Sequence, residues 1–178
     1  MKKIIIMILL FLSIASIAIS EDCAIKLSDK LLKNLATSDF NDFCNYLTNE
    51  SDDSFIQFSS AENSFCIEKI KMLDTEYSSV ECINYSNSLQ LRLHYTCEFG
   101  ETIDNSETYV STVNSFVSKY GDPDKTDYDL HMQLLYGRSI SWILEEYGIH
   151  ATILYHDGNA AQNEFPEIEI ILYEFNNN

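Results

Sequence analysis

The stretch Leu89–Phe99, LQLRLHYTCEF, constrains this chain more than any other. Leu89, Leu91, Leu93, Tyr95, Cys97 and Phe99 alternate without a break with Gln90, Arg92, His94, Thr96 and Glu98. Successive side chains of a strand point to opposite faces, so a period of two means a half-buried strand with one dry and one wet face. A sheet that keeps one face in water is ordinarily antiparallel and covered on one side. Its dry face needs a cover, either helices or an internal pocket.

The segments around this strand supply candidates for that cover. Residues 22–36 read as a helix with Asp22 as N-cap, because Ala24, Leu27, Leu31 and Leu35 recur at spacings of three and four. Ser38 caps a second helix that carries Phe40, Phe43, Cys44 and Leu47 on one side. Phe55–Phe58, Phe65–Leu73 and Val80–Tyr85 read as strands, although the middle one also fits a helical spacing. After Leu89–Phe99 comes the best-marked helix, capped by Asp104 or Ser106. Its stripe of Tyr109, Val113, Phe116, Val117 and Tyr120 is expected to lie on the dry face of that strand. Lys119 suits its last turn, and Gly121 and Pro123 stop it. Tyr128–Tyr136 has no clear period. Ile140–Leu144, Ile149–Tyr155 and Glu167–Phe175 alternate, and the last is apolar on both faces, which predicts cover on both sides. Two helices, three or four strands, one helix and three strands make an α+β fold, with antiparallel meanders and helices on one face. Each half reads as a helical segment followed by strands, but no shared residues mark a duplication.

The amino terminus bears on compartment. Met1-Lys2-Lys3 is basic, Ile4–Ile19 is apolar, and Ala18-Ile19-Ser20 ends in small residues, the layout of a secretory signal peptide over residues 1–20. The apolar run reaches about 24 Å, short of the roughly 30 Å hydrocarbon core. The expectation is a single domain over residues 21–178, exported to a periplasm or secreted, with no membrane attachment after cleavage. Its 9 basic and 28 acidic residues give −19. Such a surface repels nucleic acid and anionic lipid, and attracts cations or basic partners. Cys23, Cys44, Cys66, Cys82 and Cys97 are all disulfide candidates in an oxidising compartment. Five is odd, and spacing does not choose among the frameworks. A Cys23–Cys44 staple across the helix hairpin is one of them.

The segment Tyr109–Phe175, with Lys119-Tyr120-Gly121-Asp122-Pro123 ending a helix, a strand around Trp142 and a closing hairpin at Ile170–Tyr173, resembles a type common in uncharacterised bacterial exported proteins. The front, Leu31–Leu47 with Thr37-Ser38-Asp39-Phe40, resembles the opening helices of NTF2-like domains. That second resemblance implies a curved sheet around a pocket, used for small ligands or dimerisation.

Motifs for catalysis are sparse. GxxxxGK[ST], GxGxxG, GxSxG and HExxH are absent. His94 and Cys97 stand three apart on a strand, so they point to opposite faces and cannot pair; a Cys–His site would need His131, His150 or His156. His94, His150 and His156 could meet a metal only through the fold. Asp122, Asp124, Asp127 and Asp129 resemble a calcium loop in composition but lack its spacing and closing Glu. No cofactor is indicated. The reading is a non-enzymatic exported protein that binds a small apolar ligand or a protein partner, with a homodimer as a further form. The alternative is an enzyme with a Cys–His site, or a calcium-assisted hydrolase on Asp122–Asp129.

Overall fold

The computed structural model describes residues 24–50, 63–72, 75–85, 88–103, 105–127, 138–158 and 164–174. In chain order these form α1 (Asp29–Thr37), α2 (Phe40–Glu50), β1 (Ser64–Met72), β2 (Thr75–Tyr85), β3 (Ser88–Thr96), α3 (Glu107–Tyr120), β4 (Lys125–Asp127), β5 (Arg138–Leu144), β6 (Ile149–His156) and β7 (Glu167–Glu174). The strands make one antiparallel sheet in the order β1-β2-β3-β7-β6-β5-β4. The architecture is thus α+β, with helices on a sheet. Two meanders meet where β3 pairs with β7, setting Leu93 opposite Ile170 and Leu91 opposite Leu172. Among the described residues no helix is long and apolar enough to cross a membrane.

The alternation of β3 becomes two unlike faces. Val80, Cys82, Leu91, Leu93, Ile153, Ile170 and Leu172 are fully buried on the covered face. Arg92 and His94 on the other are half-buried. Over β2, β3 and β7 the cover is the α1–α2 hairpin, not α3 as the stripe at Tyr109–Tyr120 suggested. α3 lies on the second meander. Its Tyr109 ring meets Tyr155 at 5.3 Å, and Phe116 meets Trp142 at 5.1 Å. Trp142 Nε1 donates to the Gly121 carbonyl at 3.1 Å, which pins the C-terminal end of α3 to β5. Ser106 is its cap, with Oγ accepting from Tyr109 N at 3.3 Å.

Several expectations need correction. Residues 24–28 are not helical and α1 starts at Asp29, because Ser28 Oγ takes the Leu31 N–H at 3.0 Å; Asp22 lies outside the described residues. The residues before it form a strap: Ile25 N donates to Thr112 Oγ1 on α3 at 3.0 Å, and Ala24, Ile25 and Leu27 are buried. β2 begins at Thr75, earlier than Val80. The alternation hides this because the ladder skips Lys69 and Ser78. Lys69 has φ 52, Ser78 Oγ bonds the His94 carbonyl, and the apolar set shifts from Ile67 and Val80 to Met72 and Tyr77. The C-terminal half holds four strands, since Lys125–Asp127 pairs with β5. β7 is covered on one side: Ile171 and Tyr173 are only half-buried. Phe99 has left the covered face and is 57% exposed. Phe55–Phe58 and Tyr128–Tyr136 lie outside the described residues.

Candidate functional site

Two places gather chemistry, one on the open face and one at the end of the sheet. On the open face, register sets His94 of β3 beside Glu169 of β7, and Glu169 lies one strand from β6. Glu169 is only 7% exposed. His156 Nε2 lies 3.0 Å from its Oε2, while His94 Nε2 at 3.9 Å and Arg92 Nη1 at 3.8 Å face its Oε1. His94 Nδ1 is bound to Glu167. That hydrogen bond outweighs burial and, with the charges of Glu167, Glu169 and Glu81, raises His94 above its ordinary value. Burial pushes the Glu169 carboxyl up, but the His156 hydrogen bond and the charges of His94, His156 and Arg92 win and hold it below the usual carboxylate range. The fold therefore brings His94 and His156 to one carboxylate. His150 goes instead to the ring of Tyr173, at 4.7 Å between centroids, and His131 lies outside the described residues. Among the described residues no group of three or more His, Cys, Asp or Glu is arranged to hold a metal ion. Glu169 is faced by His94, His156 and Arg92, which makes this network a brace for the open face.

The second place is a groove. Past β3, Cys97 N bonds the Pro166 carbonyl at 2.8 Å, and the chain turns through Glu98–Glu101, with Gly100 at φ 88. Asn105 Oδ1 then takes the Thr102 N–H at 2.6 Å and leads into α3. The turn and the first turn of α3 enclose an open cavity of about 550 Å³, lined by Tyr95, Glu98, Phe99, Gly100, Glu101, Asn105, Glu107 and Thr108. Three lining residues are carboxylates and none is basic. At its rim Phe99 meets Phe165 edge to face, with centroids 5.6 Å apart, and both rings are more than half exposed. Three carboxylates beside aromatic rings, with no basic residue in the lining, suit a cation, which gains from Coulomb attraction and from the ring faces together. A smaller cavity of about 230 Å³ lies between α2 and the β2–β3 end. Its Glu174 carboxylate already accepts from Leu89 N, at 3.3 Å.

The other sequence candidates separate. Cys97 is buried, with Sγ 3.9 Å from Ser106 Oγ, and burial is the main cause that pushes its thiol up to about 12. It is a protonated thiol on the covered face, with His94 on the other. Asp124 Oδ2 accepts from Ile143 N at 2.7 Å and holds the β5 edge. Asp122 is exposed, Asp127 lies on β4, and Asp129 is outside the described residues. Four cysteines, Cys44, Cys66, Cys82 and Cys97, are free thiols, while Cys23 is outside the described residues. Neither the acidic groove nor the partners Glu167 and Glu169 stood out in the sequence. The one available signal was the density of Glu at 98, 101 and 107 beside Phe99. No protein-family model, curated protein or solved structure matches this chain.

Proposed function

We propose that this is an exported, non-catalytic binding protein whose acidic groove receives a cationic side chain, Arg or Lys, of a partner protein. The observation that carries the reading is the groove itself: three carboxylates, no basic lining residue and an exposed Phe99–Phe165 pair around about 550 Å³. The net charge of −17 adds long-range attraction for a basic partner. A protein partner is favoured over a small apolar ligand because the covered face of the sheet is filled by side chains of α1, α2 and α3. Export rests on Lys2–Ser20.

The test is calorimetric titration of the purified chain with an arginine-rich peptide and with the same peptide carrying citrulline at every arginine. The arginine peptide is expected to bind, more weakly as salt rises. Replacing Glu98, Glu101 and Glu107 together by Gln should weaken it about tenfold or more, at roughly 0.5–1 kcal/mol per exposed charge contact. Equal binding of the citrulline peptide, or an unchanged triple variant, would refute the reading.

A further inference from the structure

The cysteines of this chain do not sit in equivalent places, and their placement selects one pair. Cys44 lies on the side of α2 that carries Phe43 and Leu47 into the core, and it is half-buried there. Cys82 is fully buried on the covered face of β2, opposite Leu91 of β3. α2 packs on β2, and Cys44 packs against the core cluster of which Cys82 is a member. Cys66 stands on β1 directly opposite Glu81 and one residue from Phe65, which pairs with Cys82. The pleat therefore turns Cys66 to the open face, away from Cys82. Cys97 is at the far end of β3, against Ser106 at the head of α3. Among the four described cysteines, Cys44 on the cover and Cys82 on the covered face beneath it are the pair that packed elements set facing each other.

We propose that Cys44 and Cys82 are a built disulfide site, closed on export by a protein or small-molecule disulfide donor and bolting the α1–α2 hairpin to the sheet. In the first step the Cys44 thiolate attacks one sulfur of the donor disulfide. Its proton goes to water, and the donor's other sulfur leaves as a thiolate. In the second step Cys82 loses its proton and attacks Cys44 Sγ, releasing the donor's first sulfur. Two cysteine thiols are oxidised to one disulfide, and the donor disulfide is reduced to two thiols. The order follows from exposure, since a donor can reach half-buried Cys44 but not Cys82. The thiol directions agree: the neighbouring Cys44 thiol and burial both push Cys82 up, while Cys82 holds Cys44 below its ordinary value. Cys66, raised by burial and by Glu81 and Glu68, and Cys97, deeply buried, are poorer nucleophiles.

The two residues are 38 positions apart. Closing a loop of that length constrains the unfolded chain strongly, so reduction should lower Tm by about 10 °C. The experiment equilibrates the purified, reduced chain with a glutathione redox buffer, alkylates the remaining thiols and maps the peptides by mass without reduction. The expected result is a Cys44–Cys82 peptide, with Cys66 and Cys97 alkylated. A Cys44→Ser variant should show a Tm insensitive to reductant. Cys44 recovered alkylated under oxidising buffer, or joined to Cys23, Cys66 or Cys97, would overturn the proposal. The wild-type map decides the matter even where a variant fails to fold.

Discussion

Replacing Leu93 by Ala cuts the seam of the sheet. Leu93 is fully buried, between Val80 of β2 and Ile170 of β7, both also at 0% exposure. The substitution removes three carbon atoms, about 2.4 kcal/mol at roughly 0.8 per buried methylene. Both neighbouring strands are held by ladders on their far sides, so the site cannot collapse freely. The residual cavity adds about 1–2 kcal/mol at roughly 24 cal/mol per Å³. The total is about 4 kcal/mol, a large part of an ordinary domain's stability. Gln90→Ala, on the same strand but the open face, should cost only a few tenths of a kcal/mol. The assay is urea unfolding followed by fluorescence of Trp142, the sole tryptophan, which is buried against Phe116. With a slope of about 2 kcal/mol per M, Leu93→Ala should lower the midpoint by about 2 M, and Gln90→Ala should barely move it. Equal losses at both positions would refute the two-faced strand.

The brace on the open face predicts a pH optimum of stability. His94 has a raised folded pKa, so its contribution is complete below its ordinary 6.5 and is lost as pH rises through the folded value. Glu169 has a lowered one, so its contribution is complete above its ordinary 4.5 and is lost as pH falls through the folded value. The network therefore stabilises most between those two ordinary values. His94→Gln should flatten that maximum by about 1 kcal/mol or less, since the half-buried ring is partly screened by solvent; a pH series of thermal melts with an unchanged maximum would contradict it. Gly121 has φ 86 and ψ −169, a region reserved for glycine, and space for a methyl is open around it. Gly121→Ala should cost about 1–3 kcal/mol through backbone strain alone, visible as a lowered urea midpoint with unchanged fluorescence of the folded state.

What could be read without coordinates followed from local rules. The period-two pattern at Leu89–Phe99 was legible because alternation reports two environments wherever a strand has them. The stop at Lys119-Tyr120-Gly121 was legible because a helix end has its own chemistry. Which helix covers which strand was not, because both helical regions offer an apolar stripe. The decision came from long-range bonds such as Trp142 to Gly121 and Ile25 to Thr112. The opening of β2 escaped because the skipped pair at Lys69 and Ser78 reverses the alternation, so Tyr77 has the wrong parity for Val80. The site was hidden for a related reason. Glu169 meets His94 and His156 only through the β3–β7–β6 register, and the groove joins the end of β3, the Phe165 segment and the start of α3. The pattern within one segment carries no information about register between segments.

The most direct test of the binding account is a map of backbone amide shifts as the arginine-rich peptide is titrated into the isotope-labelled chain. The account predicts that the largest changes fall on Tyr95, Glu98–Glu101 and Asn105–Thr108, with Phe165 beside them, while Arg92, His94 and Glu169 on the open face stay still. Changes centred on the open face of β3 and β7, with the groove unmoved, would contradict it.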